Sequence, residues 1–372
     1  MKKLVNAWLI LAFVLSVAHG HGEEPKPEVG WEGNAFNAPA RINTHCGWDV
    51  WTNFSFIYWQ PTEDNIELGQ SLNQLSQLIY KPHSVFKPVA FNDEAAFVTM
   101  DFEYAPGFKA GMGCNFDYDS WDASAEYTWL RGSAHKFSNG GIFGLFPNVG
   151  DDLSIDYIVP SLSTYGNGKA SWHLGLDIID VDLGRSFYSG RQLKFRPFFG
   201  LRSGWIDQHL YAIYHLPETN ATFETTSTTH SWGIGPRTGF QGNWEMAYGL
   251  RLYGNGSLDL LFTNYDLRSR NQVTNPSLSP SKVFFNADQD DLNLSSRTHA
   301  EMEFGLGWGS YFHSQRWYFD LSCGYDFQVF FNQNMFRKLI RVNSANGPAS
   351  ISFTPNGNLY IQGLTIKTAC NF

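Results

Sequence analysis

The chain has 372 residues, 16% of them aromatic and only 16% charged, with a formal net charge of −9. The acidic balance argues against nucleic acid as a partner, and the charged fraction lies well under the ~25% of soluble domains. No stretch of the sequence is apolar for long enough to span a bilayer as a helix, which leaves a secreted soluble protein or a β-barrel.

At the start, Lys2 and Lys3 precede an apolar run from Leu4 to Leu15 and then the small residues Ser16 and Ala18. This is the pattern of a secretory signal peptide. Residues 1–18 are read as that signal, 19–46 as an N-terminal periplasmic segment and 47–372 as the barrel, with Gly20 a second cleavage candidate. Cleavage after Ala18 would expose His19-Gly20-His21, a set of nitrogens able to hold Cu(II) or Ni(II) in a square plane. A metal-free tail is the preferred reading, and no cofactor is expected.

The first strand places Val50, Thr52, Phe54, Phe56 and Tyr58 on one face, the period of two that a lipid-facing strand requires. Between Asn65 and Tyr80, Leu68, Leu72, Leu75 and Ile79 repeat at helical spacing. They predict a short amphipathic helix in the first extracellular loop, packed on the barrel mouth or folded into the lumen as a constriction. A second strand spans 96–116, with Met100, Phe102, Tyr104, Phe108 and Met112 outward and a bulge at Pro106-Gly107. The third covers 120–131, with Trp121, Tyr127 and Trp129 outward. Seven more follow at about 170–185, 191–213, 223–241, 244–266, 298–313, 316–331 and 358–372. The last ends on Phe372, like the assembly signal of bacterial outer-membrane proteins.

Connections alternate in length. Those at 60–93, 132–169, 214–222, 267–297 and 332–357 are read as extracellular, and those at 117–120, 186–190, 241–243 and 313–316 as periplasmic turns. The expected fold is therefore all-β: a transmembrane, antiparallel, up-and-down β-barrel of about ten strands. Twelve strands, with one hidden in 132–169, are the alternative.

The phase opposite the apolar one collects charge. Lys194, Arg196 and Arg202 alternate with Leu193, Phe195, Phe199 and Leu201, and Lys109, Arg237, Arg251 and Lys367 are inward elsewhere. Facing them are Asp101, Glu103, Asp122, Glu126, Asp177, Glu245, Glu301, Glu303, Asp320 and Asp326. Charges removed from water are costly unless paired, so ion-pair ladders are expected, either as a polar filling or as a selectivity-setting wall. The candidate pore-lining set is Lys109, Glu126, Lys194, Arg196, Arg202, Arg237, Arg251, Glu301, Glu303 and Lys367.

Cys46, Cys114, Cys323 and Cys370 fall on the outward phase. Cys46 and Cys370 lie at the periplasmic ends of the first and last strands, which closure makes neighbours, so a Cys46–Cys370 disulfide stands beside intermolecular links and unbonded thiols at the lipid boundary. His173 and His299 are read as inward, near Asp177 and Glu301. No nucleophile elbow accompanies them, so no catalytic residue and no enzyme activity is expected.

The stretch DFEYAPGFKAGMG at 101–113, followed by WDASAEYTW at 121–129, resembles the strand pair of the major outer-membrane protein family of Legionella and Chlamydia-like bacteria. Further matching stretches are GWDVWTNFSFIYWQP from Gly47, RPFFGLRSGWIDQ from Arg196, the segment Gly233-Ile-Gly-Pro-Arg-Thr-Gly and QGLTIKT from Gln362. The resemblance implies an abundant, integral, pore-forming barrel of the bacterial outer membrane, exposed at the surface. The expected function is thus a porin for passive diffusion of small hydrophilic solutes and ions. The rival is a structural or adhesive surface barrel whose lumen is closed by ion pairs. Expected partners are outer-membrane lipid and lipopolysaccharide, the barrel assembly machinery and small solutes, with a homo-oligomer left open. Ten strands lie near the closed end of barrel sizes, so strand number is the discriminator.

Overall fold

The structure, a computed structural model, describes residues 36–40, 42, 44, 49–71, 96–116, 119–144, 165–190, 192–216, 220–275, 282–336, 338–344, 347–353 and 357–372. Ten strands form a single wall: β1 (Val50–Glu63), β2 (Ala105–Asn115), β3 (Trp121–Gly144), β4 (Tyr165–Arg185), β5 (Leu193–Leu216), β6 (Ala221–Glu245), β7 (Leu250–Asn275), β8 (Lys282–Phe312), β9 (Trp317–Asn334) and β10 (Gly357–Asn371). Each pairs antiparallel with the next. The ring closes where β10 pairs with β1, from Leu359 opposite Glu63 to Asn371 opposite Trp51. The terminal aromatic finishes this seam: Phe372 N–H donates to Val50 O at 3.0 Å, and its ring packs edge-on against Trp317.

Alternation along each strand makes the wall two-sided. On β6, Trp232, Ile234, Phe240 and Trp244 are exposed outward, whereas Ser231 is buried and Arg237 faces the lumen. Trp232 to Trp244 rises by about 28 Å at ~3.3 Å per residue and ~45° tilt, close to the apolar band of an outer-membrane barrel. Phe54, Phe56 and Tyr58 on β1, Phe199 and Leu201 on β5 and Leu321 and Tyr325 on β9 share the outward face, as expected.

Several boundaries differ from the expectations. Strands β3, β4, β7 and β8 run well past the predicted ends, so much of 132–169 and 267–297 is strand. Beyond the bilayer the outer face meets water, and the apolar-outward signal that marks a strand disappears. The predicted bulge at Pro106-Gly107 lies inside β2; the break falls upstream, between short pieces Ala96–Val98 and Asp101–Phe102. Met100 there is buried instead of outward. The helix expected over 65–80 is contradicted where it is described, since Gly69–Ser71 is a strand paired to β3. Residues 72–95 lie outside the described residues, as do 1–35 with the signal-peptide boundary.

The turn expected at 241–243 is also displaced. Gly242 and Asn243 continue β6, and the chain reverses through a short 3-10 turn, Ala247–Gly249, the one helical element among the described residues. Asn243 stays in the strand because its side chain faces the lumen and accepts from Arg251 Nε at 3.1 Å. Gly249 has φ of +77°, and a Cβ there would lie 2.3 Å from Gly309 O. Gly190, in the β4–β5 turn, has φ of +81° with open space around it. Gly249→Ala is therefore expected to lose about 1–3 kcal/mol of stability, and Gly190→Ala distinctly less. Urea midpoints of the refolded barrel, followed by heat-modifiable electrophoretic mobility, check the order.

Candidate functional site in the barrel lumen

Ten strands about 4.8 Å apart and tilted by about 40° enclose a backbone cylinder roughly 20 Å across. Long side chains from opposite walls meet in such a lumen. At mid-height the meeting point is Arg202 on β5. Its Nε and Nη2 donate to both oxygens of Asp180 on β4 at 2.6 and 2.7 Å. Nη1 reaches Asp259 on β7 and Nη2 reaches Glu301 on β8, both at 2.8 Å. Arg237 on β6 lies beside it, within 2.9 Å of Asp180, 3.0 Å of Asp182 and 3.3 Å of Glu301. From the far wall, Lys109 on β2 stands 3.3 Å from Glu301 and 4.0 Å from Asp326 on β9, over the ring of Trp59.

Three cations, Lys109, Arg202 and Arg237, thus face five carboxylates, Asp180, Asp182, Asp259, Glu301 and Asp326. The centre of the cluster is buried: the Arg202 side chain is 3% exposed and that of Asp259 0%. Further polar side chains complete the section. His299 Nδ1 sits 2.6 Å from Asp259, Trp59 Nε1 donates to Thr365 at 3.0 Å, Thr365 in turn bonds Asp326, and Tyr253 and Asn255 donate to Glu303 at 2.6 and 2.9 Å. Nearer the periplasm, Arg196 binds Asp122, and Arg251 binds Asp320 through Nη2 at 2.7 Å.

Toward the outer end the filling changes character. Trp172, Leu174, Leu176, Ile178, Ile206, Leu210 and Tyr214 project inward into an apolar cluster. Two loop residues beyond β1, Ile66 and Leu68, are buried in it, held by Tyr214 OH donating to Leu68 O at 2.7 Å. Ile66 and Leu68 thus fold inward as a cap, although not as a helix at these positions, and the rest of the expected helix lies outside the described residues.

The candidate residues divide accordingly. Lys109, Arg202, Arg237 and Glu301 meet in the central cluster, with Glu303 at its edge; Arg196 and Arg251 form separate pairs below. Glu126 accepts from Asn53 at 2.8 Å and has Lys367 at 3.8 Å, both more open to water. Lys194 keeps the inward phase beside exposed Leu193, but no described carboxylate lies within ion-pair distance of it. Asp122, Glu245 and Asp320 also keep that phase. Asp101 and Glu103 do not line the lumen; they are exposed and lie against Lys136 and His135. Asp177 and His173 are likewise on the outer face, Asp177 bound by Arg131 at 2.8 Å and by Tyr127 OH at 2.6 Å. On β4 the inward phase belongs to Asp180 and Asp182, and on β7 to Asp259, none of which the sequence reading included. Their alternation with Ile179, Val181, Leu258 and Leu260 is the signal that carries them.

Cys114, Cys323 and Cys370 are free thiols, Cys114 buried and Cys323 exposed. Thr52 is opposite Cys370, so the expected neighbourhood of first and last strands holds. Cys46 itself lies outside the described residues, and with it the Cys46–Cys370 pairing.

A closed, ten-stranded wall with an apolar outer belt and a polar filling is that of an integral outer-membrane β-barrel. The chain belongs to the Legionella pneumophila major outer membrane protein precursor family, whose model matches residues 43–370, and its location is the outer membrane. Similar solved structures are the Escherichia coli outer membrane protease OmpT (9% identity, 87% of this chain and 96% of that one, TM-score 0.39) and a Pseudomonas aeruginosa FadL homologue (6% identity, 87% and 90%, TM-score 0.25). A third is the TodX deltaS2S3 mutant monoaromatic hydrocarbon channel (7% identity, 87% and 90%, TM-score 0.23). No curated protein matches the chain.

Removing one partner from a buried ion-pair cluster leaves the remaining charge undercompensated, here three carboxylates that keep only Arg237 and Lys109. Arg202→Ala leaves Asp180, Asp259 and Glu301 around an empty space and is expected to cost about 3–5 kcal/mol. Lys367→Ala, whose side chain is 34% exposed and 3.8 Å from Glu126, should cost less than about 1 kcal/mol. Urea unfolding of the two refolded variants measures the contrast.

Proposed function

We propose that the protein is a gated porin of the outer membrane, closed at rest, that passes small hydrophilic solutes and ions passively when its lumen filling shifts. The observation that carries this reading is the central cluster of Arg202, Arg237 and Lys109 with their carboxylates. Buried ion pairs are no better for stability than apolar side chains of the same volume. A purely structural barrel would gain nothing from placing so much charge at its centre. A lumen that admits water intermittently keeps its wall soluble in both states. The excess of carboxylates favours cations. The apolar cap also fits, because Ile66 and Leu68 belong to a loop whose withdrawal breaks the Tyr214–Leu68 bond but leaves the pairing of the ten wall strands with one another intact.

In this reading the long connections, including 145–164, face the cell exterior, residues 1–18 are removed on export and 19–46 lie in the periplasm. The barrel performs no covalent chemistry. The second reading, a structural or adhesive surface barrel, is favoured by the burial at the centre: no exposed surface remains on the Asp259 or His299 side chains.

Planar-bilayer recording of the refolded chain tests the proposal. The expected result is infrequent, cation-preferring openings in the wild type, a higher open fraction in Ile66→Asp and Leu68→Asp, and a reversal potential shifted further toward cations in Arg196→Glu. Silence of the wild type and of both loop variants, with folding intact, would establish the structural reading instead.

A further inference from the structure

A single carboxylate is set into the apolar outer end of the lumen. Glu63, the last residue of β1, is 5% exposed, and Gln208 on β5 donates from Nε2 to its Oε2 at 3.2 Å across the barrel. Gln208 is fully buried between Ile206 and Leu210 of the apolar cluster. It is opposite Thr229 on β6, which is 1% exposed, and on its other side it is opposite Leu174 on β4. Thr229 is in turn opposite the buried Leu267 on β7. The cap residues Ile66 and Leu68 follow shortly after Glu63 in the chain.

Among the described residues no lysine, arginine or histidine pairs with Glu63. Arg297 on β8 is engaged elsewhere, its Nε on Tyr265 OH at 3.2 Å and its Nη2 on Met335 Sδ at 3.0 Å. Asp64 is exposed and accepts from Asn358 N–H at 3.3 Å. Three oxygens of the buried set also lack a donor: Glu63 Oε1, Gln208 Oε1 and Thr229 Oγ1 have no hydrogen-bond partner among the described residues. Gln208 turns its amide nitrogen to the carboxylate, which leaves its amide oxygen beside it. An ionised carboxyl removed from water without a counter-charge is costly. A proton on Glu63 would remove the charge but would serve only one of the three oxygens as a donor. A cation removes the charge and takes all three as ligands.

We propose that Glu63, Gln208 and Thr229 bind a monovalent alkali cation beneath the cap, through Glu63 Oε1, Gln208 Oε1 and Thr229 Oγ1. One carboxylate with amide and hydroxyl oxygens is a hard donor set, unsuited to the transition metals that imidazole and thiolate select. In keeping with this, no group of three or more His, Cys, Asp or Glu side chains is placed to hold a metal ion among the described residues. One buried negative charge balances one positive charge, which favours Na+ or K+ over Ca2+, whose tighter sites add further carboxylates. The ion ties the end of β1, where the cap loop departs, to β5 and β6 on the facing wall. The inference rests on burial and donor chemistry and not on gating, so a barrel that never conducts leaves it intact.

Urea unfolding of the refolded full chain, followed by tryptophan fluorescence at constant pH and ionic strength, tests it with Na+, K+, N-methylglucamine and Ca2+ as chlorides. A ligand that binds only the folded state raises the midpoint with its concentration. The wild-type midpoint should climb as Na+ or K+ replaces N-methylglucamine, and Glu63→Gln should abolish that dependence. Thr229→Val keeps the side-chain shape but removes one ligand, and should raise the concentration needed for half the effect by about tenfold. Glu103→Gln, at an exposed carboxylate on the outer face, should change nothing. Should Glu63→Gln fail to fold, Thr229→Val and crystals of the wild type soaked with Tl+, an alkali-ion stand-in with anomalous scattering expected beside Glu63, decide the matter. A wild-type midpoint indifferent to alkali ions, or no Tl+ peak at Glu63, would overturn the proposal. So would a dependence that survives in Glu63→Gln, as an ion held by the central carboxylates would give, or a Glu63-dependent stabilisation by Ca2+ greater than that by Na+.

Discussion

In hydrocarbon, a backbone N–H or C=O without a partner costs several kcal/mol, because no water can replace the missing bond. Closure of β10 on β1 meets that demand for the whole wall. The pairing runs from Leu359 opposite Glu63 to Asn371 opposite Trp51, and the last backbone N–H, that of Phe372, is taken by Val50. An open sheet of the same strands would present two unpaired edges to lipid. The number of strands that closes the ring also sets its diameter, and diameter decides what the inward side chains can do. At roughly 20 Å between backbones, Arg202 on β5 bonds partners on β4, β7 and β8 at once. In a wider cylinder the same residues would line water separately.

The lumen is consequently filled in two ways along its length. Through the membrane the filling is ionic, and toward the outer end it is apolar, with Trp172, Leu176 and the loop residues Ile66 and Leu68 packed together. The outer surface changes in the opposite sense at about the same level, from Phe199 and Leu201 below the paired Trp205 and Trp232 to Asp207 and His209 above them. Both changes have one cause. Within the bilayer the apolar medium is outside, so polar groups turn inward; beyond it the medium outside is water, and the strands bury their apolar side as any soluble protein does. At this junction an apolar cap from a loop lies over an ionic filling carried by the strands.

Alternation was sufficient to recognise the barrel and its ten strands and to set Arg202, Arg237 and Glu301 on the inward phase, but it left out Asp180, Asp182 and Asp259 beside them. Phe54, Phe56 and Tyr58 point outward because every second residue must, and this holds whatever their neighbours in space. Periodicity distinguishes two faces but does not say which medium each face meets. That is why Asp177 and His173, polar and on a period-two strand, looked inward although they lie outside, and why strands continuing past the bilayer were read as loops.

Pairing was settled only by the tertiary structure. Arg202 and Glu301 are separated by 99 positions in the chain, and nothing local relates them; their contact follows from cross-strand register and from the curvature of a closed ring. The same holds for Asp180 and Asp259 as partners of one guanidinium, and for the burial of Leu68 among residues of β4 and β5. Side-chain phase is a property of a strand, fixed by backbone geometry one residue at a time, whereas distance across a lumen depends on all ten strands being shut.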